Sequence, residues 1–304
     1  MQSNASLSSC AFGYSEFTTW PWSFERDVQK YHEHGARVIE ICEFKLAHQE
    51  YRQLEELQRY SLVPSSVQMQ VHSVFVDSMA TRPKDPSDRI AAMKDALAAS
   101  APYLPKGTPF VVITGAPPEG NFQTALGRTT EALKELGEFA GKHGMRIAFE
   151  PLSPVNIHTD TSIWSLDQGL ELVDRVADPN VGICIDTWNV WQTPDLEEVI
   201  GQCGARILLV QLSDWRTPRS TADRYTLGTG DIPLERIVGA IRQTGYRGPW
   251  VVEILSSMHL EGSLWKRNLD DVLTENREAF ERIWAQSSAD DGRRDVATAS
   301  ARAR

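Results

Sequence analysis

The sequence predicts a single-domain (β/α)8 TIM barrel. Short apolar runs alternate with segments of helical spacing along almost the whole chain, several of those segments close on a glycine just ahead of the next run, and about eight such units fit into 304 residues. Eight parallel strands ringed by helices need about 250 residues, so the length agrees with the count.

The predicted strands, in order, are ASLSSCAF, RVIEICEF, SSVQMQVHSVF, PFVVITGA, MRIAFEP, NVGICIDT, RILLVQLSD and PWVVEIL. Most are rich in Val, Ile or Phe, and all are bounded by Gly, Pro or polar residues, as buried strands are. The helices between them read SFERDVQKYHEHG, SDRIAAMKDALAASAPYL, TALGRTTEALKELGEFAGKHG, SLDQGLELVDRVA, DLEEVIGQCG, LERIVGAIRQTG and NLDDVLTENREAFERIWAQ. Gly35, Gly144, Gly204 and Gly245 end helices, where a left-handed residue lets the chain turn straight into the next strand. In the last helix Leu269, Val272, Leu273, Phe280, Ile283 and Trp284 recur at helical spacing, which marks it as the final element packed on the barrel. The barrel is assigned to 1–286. The remainder, 287–304 (SSADDGRRDVATASARAR), has almost no apolar content and is expected to be a disordered tail.

The rival architecture, an open doubly wound sheet, calls for a glycine-rich phosphate turn directly after an early strand. None occurs there; the nearest candidate, LGTGDIPL at 227–234, comes late and is flanked by charged residues.

Lys and Arg number 31 against 41 Asp and Glu, a formal net charge of −10, with 41% hydrophobic residues. This acidic balance repels phosphate backbones and anionic lipid, so no nucleic acid and no membrane partner is expected. The four cysteines are scattered with no C-x-x-C pair, and the chain shows neither a signal-peptide pattern nor an apolar run of about 18 residues, so a reduced, cytoplasmic protein is expected. A chain of this size folds without a structural metal, so any metal site would be functional.

Catalytic groups of such barrels lie at the C-terminal ends of the strands. Strands five to eight end in Glu150, Asp186, Gln211 and Glu253, four oxygen donors at one rim. Converging carboxylates raise one another's pKa unless a cation neutralises them, and an all-oxygen set suits one divalent ion, Mn2+ or Mg2+, better than zinc. The plain alternative is that each caps a loop or pairs with an arginine. His72, at the end of strand three, and His158, after strand five, are the imidazoles placed to reach a substrate. Lys45, after strand two, is placed either to bind an anionic or carbonyl group or to pair with Glu43. Arg224 offers a guanidinium fork for oxyanions or polyols. Trp188, Trp191 and Trp215 stand beside the rim motifs, as an aromatic wall or as ordinary packing.

The ordered motifs FEPLSP, IDTWNVW, VQLSDW, DRYTLGTGDIPL and GYRGPWVVEIL resemble the xylose isomerase-like barrels grouped as sugar phosphate isomerases/epimerases, most clearly over 144–257. That group includes ketose 3-epimerases, hydroxypyruvate isomerase, inosose dehydratase and, more distantly, endonuclease IV. The resemblance implies that Glu150, Asp186, Gln211 and Glu253 are metal ligands and that Glu150 and Glu253 shuttle protons. Most members carry His at the position of Gln211, whereas the hydroxypyruvate isomerase branch uses Gln. Asn189 stands where the pattern D-x-x-H places a substrate-binding His, and Asn156 and His158 stand near where epimerases place an acid.

The function expected from the resemblance is a metal-dependent isomerase or epimerase of a small sugar, keto-sugar or polyol, working through a metal-stabilised enediolate. A lyase, such as a polyol or inosose dehydratase or a 3-keto-glycoside eliminase that cleaves C-glycosides, is the alternative; a non-catalytic sugar-binding barrel or subunit is another. A homo-oligomer is left open. DNA cleavage would need several His ligands and a basic groove, which Gln211, Asn189 and the net charge oppose. Truncation after Ser287 is expected to leave the melting temperature unchanged, because the tail has little apolar surface to bury; a loss of several degrees in calorimetry would show that it docks.

Overall fold

The computed structural model describes residues 10–47, 50–217 and 223–301, with side chains described as far as Ser287. Eight parallel strands close into a barrel in sequence order: β1 (Phe12–Ser15), β2 (Val38–Cys42), β3 (Val63–Gln68), β4 (Pro109–Val112), β5 (Arg146–Phe149), β6 (Val181–Asp186), β7 (Ile207–Leu212) and β8 (Trp250–Val252). β8 pairs with β1, Trp250 opposite Phe12, so no sheet edge is left open. Around them lie α1 (Phe24–Glu33), α2 (Pro86–Ser100), α3 (Phe122–His143), α4 (Leu166–Val176), the single turn α5 (Thr187–Val190), α6 (Leu196–Cys203), α7 (Leu234–Gln243) and α8 (Leu269–Ala301). No helix among the described residues is long and apolar enough to cross a membrane.

The helices begin where capping chemistry starts them. The Ser23 side chain accepts from Arg26 N–H at α1, Asp85 accepts from Ser87 N–H at α2 with Pro86 in the first position, and Asn121 accepts from Thr124 N–H at α3. The four glycines expected to close helices all have positive φ. At Gly144, φ is +73°, and its N–H satisfies the last carbonyls of α3 before β5 begins two residues later.

Burial separates two layers. Val38, Val111, Ala148, Cys184, Leu209 and Val251 cluster inside the barrel, apart from the larger core between the strands and the helices. Because side chains alternate along a strand, the inward residue two places further up β2, β5, β6, β7 and β8 is Glu40, Glu150, Asp186, Gln211 and Glu253 respectively. An apolar plug therefore carries a polar layer at the C-terminal mouth.

Four boundaries differ from expectation. The first strand is FGYS rather than ASLSSCAF, of which residues 5–9 lie outside the described set. Phe12 and Tyr14 reach α8, Phe12 stacking on Phe280 at 4.7 Å and the Tyr14 hydroxyl donating to Leu273 O at 2.8 Å, contacts that small Ser side chains cannot make. A 3-10 helix, Tyr51–Tyr60, stands in the β2–β3 crossover and buries Tyr51, Leu54 and Leu57, a spacing of three. Strand β3 ends at Gln68, which puts His72 in the following loop. The backbone of α8 runs on to Ala301, past the boundary expected at 287; Ala and Arg are strong helix formers, and the side chains beyond Ser287 lie outside the described set.

Phe280 is fully buried between Phe12, Trp250 and Trp284. Phe280→Ala is expected to destabilise the barrel by about 3–5 kcal/mol in denaturant unfolding; a change under 1 kcal/mol would mean that α8 does not hold the barrel closed.

Candidate active site

Glu150 and Glu253 stand one residue past β5 and β8, and Asp186 ends β6. Each offers an oxygen within 4.8 Å of the others, and all three are buried. They sit at or beneath a cavity of about 330 Å3, which Glu150 and Glu253 line together with His72, Trp188, Asn189 and Arg224.

Neutral and cationic donors hold this anionic cluster together. Arg224 Nη1 lies 2.9 Å from Asp186 Oδ2 and 2.8 Å from Glu253 Oε2, and its guanidinium rests over the Trp188 ring at 5.1 Å. Asn189 Nδ2 donates to Glu150 Oε1 at 2.7 Å and to Asp186 Oδ2 at 2.9 Å, while its oxygen accepts from Ser153 N–H. Gln68 Nε2 donates to Glu253 Oε1 at 3.3 Å. Gln211 is in the cluster, but its nitrogen faces the acids: Nε2 donates to both oxygens of Glu40 and to Glu253 Oε1, each at 3.0 Å, and Oε1 accepts from the Cys184 thiol at 2.9 Å. Two buried carboxylates flank that amide and need a donor, which its oxygen cannot supply.

Burial, then the charge of Asp186, pushes the Glu150 carboxyl up to about 8. Burial also raises Glu253 well above the carboxylate range, despite Arg224, and raises Asp186 and Glu40. Arg224 is itself held protonated against burial by Asp186 and Glu253.

His72 borders the cavity and is buried, with Nδ1 3.1 Å from Met69 O and Nε2 3.9 Å from Asp77 Oδ1. Asp77 is fixed by Arg89 Nη2 at 3.1 Å, by the Ser73 hydroxyl and by the N–H groups of Met79 and Ala80. Burial pushes Asp77 up, but the charge of His72 and those hydrogen bonds outweigh it and hold the carboxyl below its usual range.

Two expected site residues lie elsewhere. Lys45 reaches neither the cavity nor Glu43; it is paired with the buried Asp27 of α1 and donates to Thr19 O at 2.8 Å, because a buried carboxylate needs a counter-charge. Glu43 instead accepts from the Tyr51 hydroxyl and from Gln70 N–H. His158 is exposed at φ 76° with its ring 5.8 Å from Phe122, and Asn156 and Asp160 of the same loop face the cavity in its place. Trp191 and Trp215 pack together at 5.2 Å, outside the cavity lining. Sequence reasoning missed Glu40, Gln68, Asp77, Asp160, Phe17 and Trp265. For Glu40 the sequence carried no usable signal, because every residue of β2 is buried.

A family model described as xylose isomerase-like TIM barrel matches residues 28–280. The 3-dehydroshikimate dehydratase of Pseudomonas putida is 29% identical over 134 residues, 41% of this chain and 20% of that protein. The L-ribulose 3-epimerase of a Methylomonas species is 27% identical over 129 residues, 41% of each. The chain thus spans between a fifth and about two fifths of the length of these curated relatives. A crystal structure of the IolI protein with a bound zinc atom superposes with a TM-score of 0.72 at 17% identity, covering 90% of this chain and 97% of that one.

The raised Glu150 carboxyl has a consequence for stability. Its folded-state value of about 8 lies above the ordinary 4.5, so its proton favours the folded chain fully below 4.5, and that contribution is lost as pH rises toward 8. In chelator-treated protein the melting temperature is expected to fall from about pH 5 to pH 8, with Glu150→Gln flattening the slope. An unchanged slope in the variant would remove Glu150 from the account.

Proposed function

The chain belongs to the xylose isomerase-like TIM barrel family, and we propose that it is a divalent-metal-dependent isomerase or epimerase of a small sugar, keto-sugar or polyol. The observation that carries this reading is the convergence of three buried carboxylates on one cavity at the C-terminal mouth. The donor set fits a hard cation: one guanidinium matches one of the three carboxylate charges, which leaves about two for a divalent ion. Glu150, Asp186 and Glu253 would hold it, with Mn2+ or Mg2+ suited to oxygen ligands. Gln211 would join through Oε1 once its amide is turned over. When bound, such an ion polarises neighbouring carbonyl and hydroxyl oxygens and stabilises the charge that develops as the C–H between them ionises.

The chain's own residues supply the proton chemistry. Glu150, with its affinity for protons raised to near neutrality, and Glu253 are suited to take a proton from carbon and return it. Asn189 fixes the Glu150 carboxyl, and Arg224 fixes that of Glu253. Return to the adjacent carbon isomerises; return to the opposite face epimerises.

A lyase is the second reading, favoured by His72. An imidazole at the cavity wall backed by Asp77 is suited to protonate a departing β-oxygen, and one relative carries the name of a dehydratase. Metal-loaded protein incubated in deuterated water with ketoses, keto acids, inososes and 3-keto-glycosides tests both, since each begins by exchanging an acidified C–H. Glu253→Gln is expected to slow that exchange by about 10²- to 10⁴-fold while the fold is retained; near-normal exchange would exclude Glu253 from the reaction.

A further inference from the structure

Resting on that reading, we propose that the substrate is uncharged and carries an apolar substituent, such as the aglycone of a keto-glycoside, rather than a phosphate or carboxylate. Two independent features of the cavity point there: the state of its charges and the composition of its rim.

Arg224 is the only Lys or Arg among the described residues lining the cavity, and it is engaged by Asp186 and Glu253. Lys45, the next cation expected near the mouth, is spent on Asp27. The acids outnumber them, Asp160 on the wall joining Glu150 and Glu253 on the floor, whereas Asp77 is balanced by the buried Arg89. A bound divalent ion together with Arg224 would just match the three converging carboxylates, leaving no positive charge for a substrate anion. Among the described residues, a phosphate placed in this cavity would meet carboxylates and no unengaged guanidinium or ammonium group to receive it.

Above the acidic floor the lining changes character. Phe17, Met79, Leu152, Leu255 and Trp265 form an apolar rim. The Trp265 indole N–H is used inside the protein, donating to Phe17 O at 2.8 Å, and its ring stacks on Trp20 at 6.0 Å, which in turn stacks on Phe17 at 5.6 Å. A fixed aromatic surface with its polar handle already satisfied binds apolar groups and sugar faces. Met79, 43% exposed, is a large apolar side chain left in solvent at this mouth. A cavity of about 330 Å3 holds a sugar ring with a modest substituent, the polar ring down and the apolar group toward the rim.

The test is equilibrium binding to the full-length, Mn2+-loaded protein by calorimetry, with the phenyl and methyl glycosides of 3-keto-glucose and with fructose 6-phosphate, alongside deuterium exchange on each. The phenyl glycoside is expected to bind at least tenfold tighter than the methyl glycoside, and the phosphate at least tenfold weaker than either. Trp265→Ala, or Met79→Ser should the first variant fail to fold, is expected to erase the phenyl preference. Equal binding of the two glycosides, or a phosphate bound as tightly as they are, overturns the proposal. Exchange on the phosphate alone would overturn it while leaving the enzyme reading intact; a tenfold phenyl preference without exchange on any probe would uphold it and sink the enzyme reading.

Discussion

Four carboxylates, Glu40, Glu150, Asp186 and Glu253, are buried within one layer of the barrel with one guanidinium among them. At an effective dielectric of about 20, two like charges 5 Å apart repel by roughly 3 kcal/mol, so the layer cannot hold all four as bare anions. Everything near it acts to reduce that repulsion. Arg224 bridges two of the acids, Asn189 bridges Glu150 and Asp186, and Gln211 lies between Glu40 and Glu253, where Ser66 also donates to Glu40 at 2.6 Å. The remaining strain is expressed as raised proton affinity, which is the property a proton-shuttling site needs.

The barrel makes such a layer tolerable by its construction. Closure leaves no strand edge to satisfy, so inward side chains are free to be apolar in one layer and polar in the next. The apolar plug formed by Val38, Ala148, Cys184, Leu209 and Val251 keeps water from the lower side and strengthens every interaction above it. The cavity lies at the C-terminal mouth, and the loops there are pinned by buried pairs of their own. Arg89, fully buried, ties the His72–Ala80 loop together through Ser73, Asp77 and Ala80, and Lys45 with Asp27 ties the β2 rim to α1.

The barrel and the acids of strands five to eight were legible because each acid stands where an apolar run meets a polar loop. Glu40 was not, because it lies inside RVIEICEF, and a strand covered on both faces hides which side chains point inward. Lys45 and His158 were misplaced for a different reason. Position after a strand says that a residue is near the rim, but its final direction depends on partners distant in sequence: Asp27, 18 residues away, for Lys45, and Phe122, the first residue of α3, for His158. The aromatic rim was hidden in the same way, since Phe17 and Trp265 are 248 residues apart.

The two positions where this chain carries an amide in place of the more usual imidazole fall inside the same electrostatic problem. A histidine at 189 or 211 would become protonated among these acids and share their neutralisation, since an opposite charge within a few ångströms favours the charged imidazole. Asn189 and Gln211 contribute only dipoles, so the positive charge within the cluster comes from Arg224, and a cation held by the carboxylates would add to it. The one imidazole that lines the cavity among the described residues is that of His72. His72 lies on the cavity wall beside Asp77, apart from the cluster in which Glu150, Asp186 and Glu253 converge. The imidazole and the acid cluster thus share one cavity in distinct surroundings, the arrangement that the proposed division of proton transfer between carbon and oxygen would require.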